Sequence, residues 1–130
     1  MNETAVPSVM TPEVRASIEA AVGKDNVISD REMMVDYGRD ESSREDLACH
    51  PGLVVKPGNE VEVAEVLKIA NINMIPVTPR GGATGLCGGC VPSEGGLVLS
   101  MERMNKVLEI DTANQLGTAE AGVRLQEFSM

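Results

Sequence analysis

The stretch Leu53–Gly82, LVVKPGNEVEVAEVLKIANINMIPVTPRGG, decides the fold class of this chain. It opens on a short apolar run that ends before Pro57, which is typical of a buried strand. Asn59 predicts a helix start, and Glu62 three residues later resembles a capping box. The apolar positions that follow share one helical face: Val63, Val66, Leu67 and Ala70. A second strand, MIPV, then leads into a glycine-rich loop. This strand–helix–strand order implies parallel pairing with a right-handed crossover.

Upstream of this unit, the sequence predicts one helix and a polar segment. Thr11 is a suitable N-cap and Pro12 a suitable first helical residue, while Gly23 marks the end. One face of this helix carries the apolar residues Val14, Ile18, Ala21 and Val22. NVISD follows as a short extended piece. Residues 30–46 contain seven acids and three arginines, so we expect a solvated, irregular segment or a loose helix.

Downstream, short apolar runs separated by turn residues predict more strands. GGLVLSM gives a third strand, and KVLEID and QLGTAEAG give two more around a turn at TAN. The last stretch, VRLQEFSM, fits one helical turn. The expected fold is therefore α/β (α+β), with a small, mainly parallel sheet, flanking helices and a hairpin.

Composition excludes several classes of protein. The chain has 130 residues, a net charge of −9 and no cluster of Lys and Arg. Nucleic-acid binding requires a basic face, so no nucleic-acid partner is expected. No run of about eighteen apolar residues is present, so we expect no membrane span. The N-terminus lacks the features of a secretory signal, and the three cysteines are expected to be thiols in the cytoplasm.

The loop PRGGATGLCGGC, Pro79–Cys90, is the candidate binding element. It lacks the Lys-Ser/Thr ending of a P-loop, and no helix follows it as a Rossmann fingerprint requires. Five glycines would let the backbone adopt positive φ and let a ligand approach closely. Successive amides in such turns form an anion-binding nest, with Thr84 and Arg80 as further donors. The alternative is a flexible connection.

Cys87 and Cys90 form a CxxC pair, which is the second alternative. A zinc site needs four ligands, and the remaining candidates are the adjacent Cys49 and His50. A redox CxxC begins a helix, and none is expected here. We therefore expect no metal, and we expect Cys87→Ser with Cys90→Ala to be tolerated because small residues suffice in a crowded turn.

From Val54 to Phe128, the chain resembles the FAD-binding domain of the vanillyl-alcohol oxidase / p-cresol methylhydroxylase superfamily. The motifs that carry the resemblance are VVKP, RGGATGLCGG, LVLSMERMNKVLEID and AEAGV. They are most similar to the FAD-linked 2-hydroxy-acid oxidases, which include the glycolate oxidase FAD subunit, D-lactate dehydrogenase and D-2-hydroxyglutarate dehydrogenase. DYGRDES, with Tyr37 and Asp40, resembles the family's segment before this domain.

The resemblance implies an FAD site and a domain plan. The loop would wrap the FAD diphosphate, with Ala121 and Gly122 near the dinucleotide. The implied contacts are Pro79, Arg80, Gly81, Gly82, Ala83, Thr84, Gly85, Leu86, Gly88, Gly89, Ala121 and Gly122. Some relatives tether the flavin through a loop His that is absent here, so FAD would be non-covalent. Residues 1–46 would form an N-terminal helical and irregular segment, and residues 47–130 the first half of the p-cresol methylhydroxylase-type domain.

The resemblance also implies an activity for a complete member of the family. That activity is oxidation of a small 2-hydroxy acid to a 2-oxo acid, with an iron–sulfur or other electron-acceptor partner subunit. Complete members continue well beyond Met130, so this chain would supply no catalytic residue, would be inactive by itself and would bind FAD weakly. The other hypotheses are a non-catalytic remnant or interaction module, a reductase such as the one that forms UDP-N-acetylmuramate, and a CxxC thiol or metal protein.

Overall fold

The computed structural model describes residues 10–42, 48–85, 88–92, 95–124 and 126. The described part holds two α-helices and six strands: α1 Pro12–Val22, β1 Val27–Ile28, β2 Leu53–Val55, α2 Glu60–Ile72, β3 Val77–Arg80, β4 Leu97–Ser100, β5 Val107–Asp111 and β6 Leu116–Ala119. Short 3₁₀ helices cover Lys24–Asn26 and Val35–Gly38. No helix within these ranges is long and apolar enough to cross a membrane.

The main sheet has the strand order β1-β2-β4-β3. β4 lies between β2 and β3 and pairs in parallel with both, while β1 pairs with β2 in the antiparallel sense. β5 and β6 form a separate antiparallel hairpin with a register shift between Val107 and Glu109. The structure therefore confirms the predicted α/β class, the mainly parallel sheet and the hairpin. It also shows that the two strands joined by α2 are not neighbours.

The alternation of side chains along β2 and β4 divides the core into two layers, as the twofold period of a strand requires. One layer packs against α1 and α2 and contains Leu53, Val55, Leu97 and Leu99. The opposite layer contains Val54 and Val98, which pack with Ile28, Met34 and the partly buried Tyr37. Both strands are buried on both faces, which is the usual state of central parallel strands.

Both predicted helix starts are confirmed by their capping bonds. Val14 N–H donates to Thr11 Oγ1 at 3.2 Å, and Gly23 ends α1 with φ of 93°. Glu62 N–H donates to Asn59 Oδ1 at 2.9 Å. The reciprocal bond differs from a standard capping box, because Glu62 Oε1 accepts from the N–H of Gly58, one residue before the N-cap.

Two details of the predicted strand–helix–strand unit were wrong. Leu67 is 43% exposed, because the core-facing stripe of α2 is centred on Val66 and Ala70. The second strand does not begin at Met74, which has φ of 55°, because Ile75 N–H still bonds to Ala70 O and closes the helix. β3 instead runs through Pro79 and Arg80, which were expected in the loop. Most of VRLQEFSM, the expected final helical turn, lies outside the described residues.

Candidate functional site

A cleft of about 440 Å³ opens at the carboxyl ends of β3 and β4. Arg80 ends β3 and Ser100 ends β4, and the two residues pair in register. Ligands of open parallel sheets bind outside this edge. The volume falls within the range of about 300–1,000 Å³ that is common for small-molecule sites. This cleft is therefore the candidate site.

Five of the predicted FAD contacts line the cleft: Arg80, Gly81, Gly82, Ala83 and Gly122. Ala121 lies beside them, because a Cβ on Gly81 would stand 3.0 Å from the Ala121 carbonyl oxygen. The tertiary fold thus brings the start of the glycine loop against the turn after β6. No local pattern predicted this contact, and only the family resemblance had grouped the two segments.

The other predicted contacts with described positions are not on the wall of this cleft: Pro79, Thr84, Gly85, Gly88 and Gly89. Pro79 belongs to β3, and its missing N–H is tolerated there because β3 is an edge strand of the sheet. The remaining four continue the loop away from the sheet and are exposed or half-buried. Leu86 lies outside the described residues.

Glycine is not required at every loop position for the same reason, and positive φ accounts for few of these positions. Of the five, Gly88 alone has positive φ, at 79°, while Ala83 adopts 60°. A Cβ on Gly82 would make only ordinary contacts at 3.9 Å or more, and one on Gly85, Gly88 or Gly89 would meet nothing within 4 Å. The freedom to adopt positive φ is therefore used at Gly88 alone, while the open faces of Gly82, Gly85, Gly88 and Gly89 leave the backbone accessible to a ligand.

Gly122 serves a different purpose from the loop glycines. Its N–H donates to Met104 O at 2.8 Å. A Cβ at this position would overlap the carbonyl oxygen of Met101 and would lie 2.7 Å from that of Met104. The turn after β6 can therefore approach the turn after β4 only with glycine at residue 122.

Six further residues line the cleft although the sequence had not assigned them to it: Asp36, Tyr37, Ser100, Glu102, Asn105 and Arg124. The central group is the Glu102 carboxylate. Its Oε1 accepts from the Tyr37 hydroxyl at 2.6 Å and from the Ser100 hydroxyl at 2.8 Å, and Lys56 Nζ stands 3.6 Å from Oε2.

This network shifts the pKa values of its two acidic groups, Tyr37 and Glu102, in opposite directions. Burial raises the pKa of Tyr37, and the hydrogen bond to Glu102 together with the charge of Glu102 raises it further. Burial by itself would also raise the pKa of Glu102, but the hydrogen bonds from Tyr37 and Ser100 and the charge of Lys56 outweigh it and lower that pKa. At neutral pH the cleft therefore presents a neutral phenol and an ionised carboxylate.

Arg80 donates its hydrogen bonds mainly to the protein backbone. Its Nη1 donates to Arg39 O at 2.7 Å and its Nη2 donates to Asp36 O at 2.8 Å. Its guanidinium carbon stands 5.4 Å from the centre of the Tyr37 ring, within cation–π range. Nη1 also lies 3.6 Å from Cys90 Sγ. The sequence had predicted a cation available to an anion, and the structure adds a clamp on residues 36–39.

Asp40 contacts the far part of the loop. Its Oδ2 accepts from Gly88 N–H at 2.8 Å, and its Oδ1 accepts from both the N–H and the hydroxyl of Ser42. These hydrogen bonds, those from Ser42 first, lower the pKa of Asp40. Residues 36–41 thus take part in the site although composition had assigned 30–46 to solvated chain. The signal that could have revealed them was DYGRDES, where the chain's one tyrosine stands next to a glycine.

The structure does not test the CxxC hypothesis as a whole. Within the described residues, no group of three or more His, Cys, Asp or Glu side chains could hold a metal ion. Cys87 lies outside the described residues, so the tolerance of the double cysteine substitution stays a prediction.

Comparisons with known protein families point to a flavin. A family model described as "FAD binding domain" matches residues 51–130. An uncharacterized FAD-linked oxidoreductase of Mycobacterium tuberculosis is 42% identical over 116 residues, which cover 89% of this chain and 25% of that protein. A D-lactate dehydrogenase of Archaeoglobus fulgidus is 52% identical over 76 residues, covering 58% of this chain and 17% of its own length.

Two further relatives extend the picture. A glycolate oxidase subunit of Bacillus subtilis is 34% identical and is matched over 88% of this chain and 24% of its length. Among solved structures, p-cresol methylhydroxylase with bound substrate superposes with a TM-score of 0.79 at 25% identity, over 95% of this chain and 25% of that one. The chain spans about a quarter or less of the length of these proteins.

Proposed function

This chain belongs to the FAD-binding domain family, and from that premise we propose that its glycine loop supplies the diphosphate grip for FAD. One observation carries the proposal. The loop residues 80–83 and Gly122 line a cleft at the carboxyl edge of the parallel strands, and the neighbouring loop glycines leave their backbone open.

The residues present fit a diphosphate through backbone donors. The net charge of −9 offers no general attraction for an anion, and the cleft contains Asp36 and Glu102 as well as Arg80 and Arg124. Amides of an open glycine loop bind anions by direction and close approach. The Thr84 hydroxyl adds a donor beside them. We therefore propose as FAD contacts the full predicted set, Pro79–Leu86, Gly88, Gly89, Ala121 and Gly122.

We propose that the flavin is held without a covalent bond. Residues 79–90 contain no histidine, and the chain's one histidine is His50. Bound FAD would supply the acceptor for a hydride removed from the substrate carbon. The residues of this chain would bind and orient the diphosphate, and none of them is proposed to be catalytic.

We propose that the protein to which this domain belongs is an FAD-linked oxidoreductase that converts a small 2-hydroxy acid to a 2-oxo acid. The support is that relatives carry the names D-lactate dehydrogenase, glycolate oxidase subunit and D-2-hydroxyglutarate dehydrogenase. Electrons would then pass to an iron–sulfur or other electron-acceptor partner. Residues 47–130 are proposed as the first half of the FAD domain and residues 1–46 as its N-terminal segment.

An NMR titration of the 130-residue chain tests the loop assignment. FAD or inorganic pyrophosphate added to the isotope-labelled chain should shift the amide signals of the described loop residues between 81 and 89. Gly82→Val should abolish these shifts, since its methyl groups would enter the cleft, whereas the fold has room for a Cβ there. Ala113→Val, on the exposed hairpin turn, places the same valine side chain away from the site and should leave the shifts intact. Shifts that survive in Gly82→Val, or that never involve the loop in the unmodified chain, would refute the assignment.

A further inference from the structure

We propose that residues 36–41, hereafter the brace, fix the conformation of the glycine loop, with Arg80 and Asp40 as positioning residues at its two ends. The inference deepens the proposed function and rests on it for the identity of the ligand. The brace's effect on loop order is a property of the chain without ligand, and it can be tested separately.

The first attachment joins the brace to the start of the loop. The two terminal nitrogens of Arg80 bond to the carbonyl oxygens of Asp36 and Arg39, residues 44 and 41 positions away in the sequence. A planar guanidinium can hold two carbonyls at once, whereas a lysine ammonium is a single point charge. Arg80 thus contributes through its shape as well as its charge.

The second attachment joins the brace to the far part of the loop. Glu41 N–H donates to Gly85 O at 3.1 Å, and Asp40 accepts from Gly88 N–H at 2.8 Å. These two bonds hold the loop on both sides of residues 86–87. Since Gly88 N–H is committed to Asp40, its proposed contribution to the diphosphate is an open Cα and not a donor.

The brace is itself anchored to the rest of the domain. Cys49 N–H donates to Gly38 O at 2.8 Å, and Gly38 is so close to the Cys49 carbonyl that a Cβ would overlap it. Tyr37 packs against the second core layer and bonds to Glu102, 65 residues further along the chain. A segment fastened at these points can transmit its rigidity to the loop.

The physical reason for such a brace is the flexibility of glycine. The loop has five glycines between residues 81 and 89. Glycine loses more backbone freedom than any other residue when its conformation is fixed. A loop that is already ordered before the ligand arrives loses less entropy on binding. The chain therefore holds this loop with backbone and carboxylate bonds from a distant segment.

Amide hydrogen exchange on the ligand-free chain tests the brace. Arg80→Lys keeps the charge but replaces the planar fork that holds both carbonyls by a single flexible ammonium, and Asp40→Ala removes the carboxylate that receives Gly88 N–H. Both should raise exchange at the described loop amides by roughly three- to tenfold, the effect of losing one or two net hydrogen bonds. Ser42→Ala is the matched control, because it removes a bond to Asp40 and leaves Gly88 in place.

The outcomes separate the brace from the proposed function. Unchanged loop exchange in either Arg80→Lys or Asp40→Ala, with core amides of β2 and β4 still protected, would overturn the brace. If Arg80→Lys fails to fold, Asp40→Ala decides the question. Pyrophosphate titrations of the unmodified chain judge the proposed function by themselves. If they shift the loop, both variants should bind several-fold more weakly while Ser42→Ala binds normally, and equal binding in all of them would also overturn the brace.

Discussion

Replacing Gly122 by alanine should destabilise the domain, although the residue lines the candidate FAD cleft. The added Cβ would overlap Met101 O and crowd Met104 O. The turn must move away, and the bond from Gly122 N–H to Met104 O, now 2.8 Å, must lengthen or break. Overpacking costs about 1–3 kcal/mol, and a lost hydrogen bond adds about 0.5–1.5 kcal/mol. We expect the free energy of unfolding to fall by roughly 2–4 kcal/mol.

Gly89→Ala is the matched control for this experiment. Gly89 does not have positive φ, and a Cβ there would meet no atom within 4 Å. The same substitution should therefore be neutral, or stabilising by up to about 1 kcal/mol, because alanine reduces the freedom of the unfolded chain. If Gly89→Ala weakens FAD binding, the added methyl group must do so by contacting the ligand. Gly122→Ala would instead weaken binding by destabilising the folded domain.

Urea unfolding followed by circular dichroism measures both variants. With a typical dependence of about 1–3 kcal/mol per molar urea, the midpoint of Gly122→Ala should fall by roughly 1–2 M. A midpoint equal to that of the unmodified chain would show that the turn after β6 has room to move. That result would refute the proposed structural role of Gly122 and would leave direct contact with the ligand as its remaining role.

Two further predictions follow from the cleft and the hairpin. The phenol of Tyr37, the chain's one tyrosine, should titrate above its usual value of 10.0 in the folded chain and near it in urea. Since its pKa is raised in the folded state, Tyr37 contributes stability below pH 10 that is lost as the pH rises further. The urea midpoint should therefore decrease less at alkaline pH in Tyr37→Phe than in the unmodified chain. A tyrosine pKa at or below 10 in the folded chain would contradict this. Leu108 and Ile110 of β5 are 61% and 59% exposed and should drive self-association. Changing both to Thr should lower the mass measured by light scattering, whereas changing Ile72 of α2, which is 78% exposed, to Thr should not. The reverse result would place the self-associating surface on α2.

Local patterns in the sequence predicted most of the helices and strands, though not all of their bounds, and they carried the resemblance to the family. Thr11 and Asn59 cap their helices as predicted because a cap involves bonds between residues three positions apart. The buried strands and the hairpin follow from short apolar runs and turn residues. The glycine loop was recognisable because its composition is unusual, and the resemblance that it carried is confirmed by the family match over residues 51–130.

Only the tertiary structure determined which strands and loops lie next to one another. β4 lies between β2 and β3, an order that no local pattern specifies because pairing depends on which buried faces fit together. The sequence predicts Arg80 as a free cation, yet its side chain holds two carbonyls more than forty residues away. Gly122 is required because the turn at Met101–Met104 lies against it. Each of these facts depends on contacts between segments far apart in the chain, and only the packed core brings those segments to one edge of the sheet.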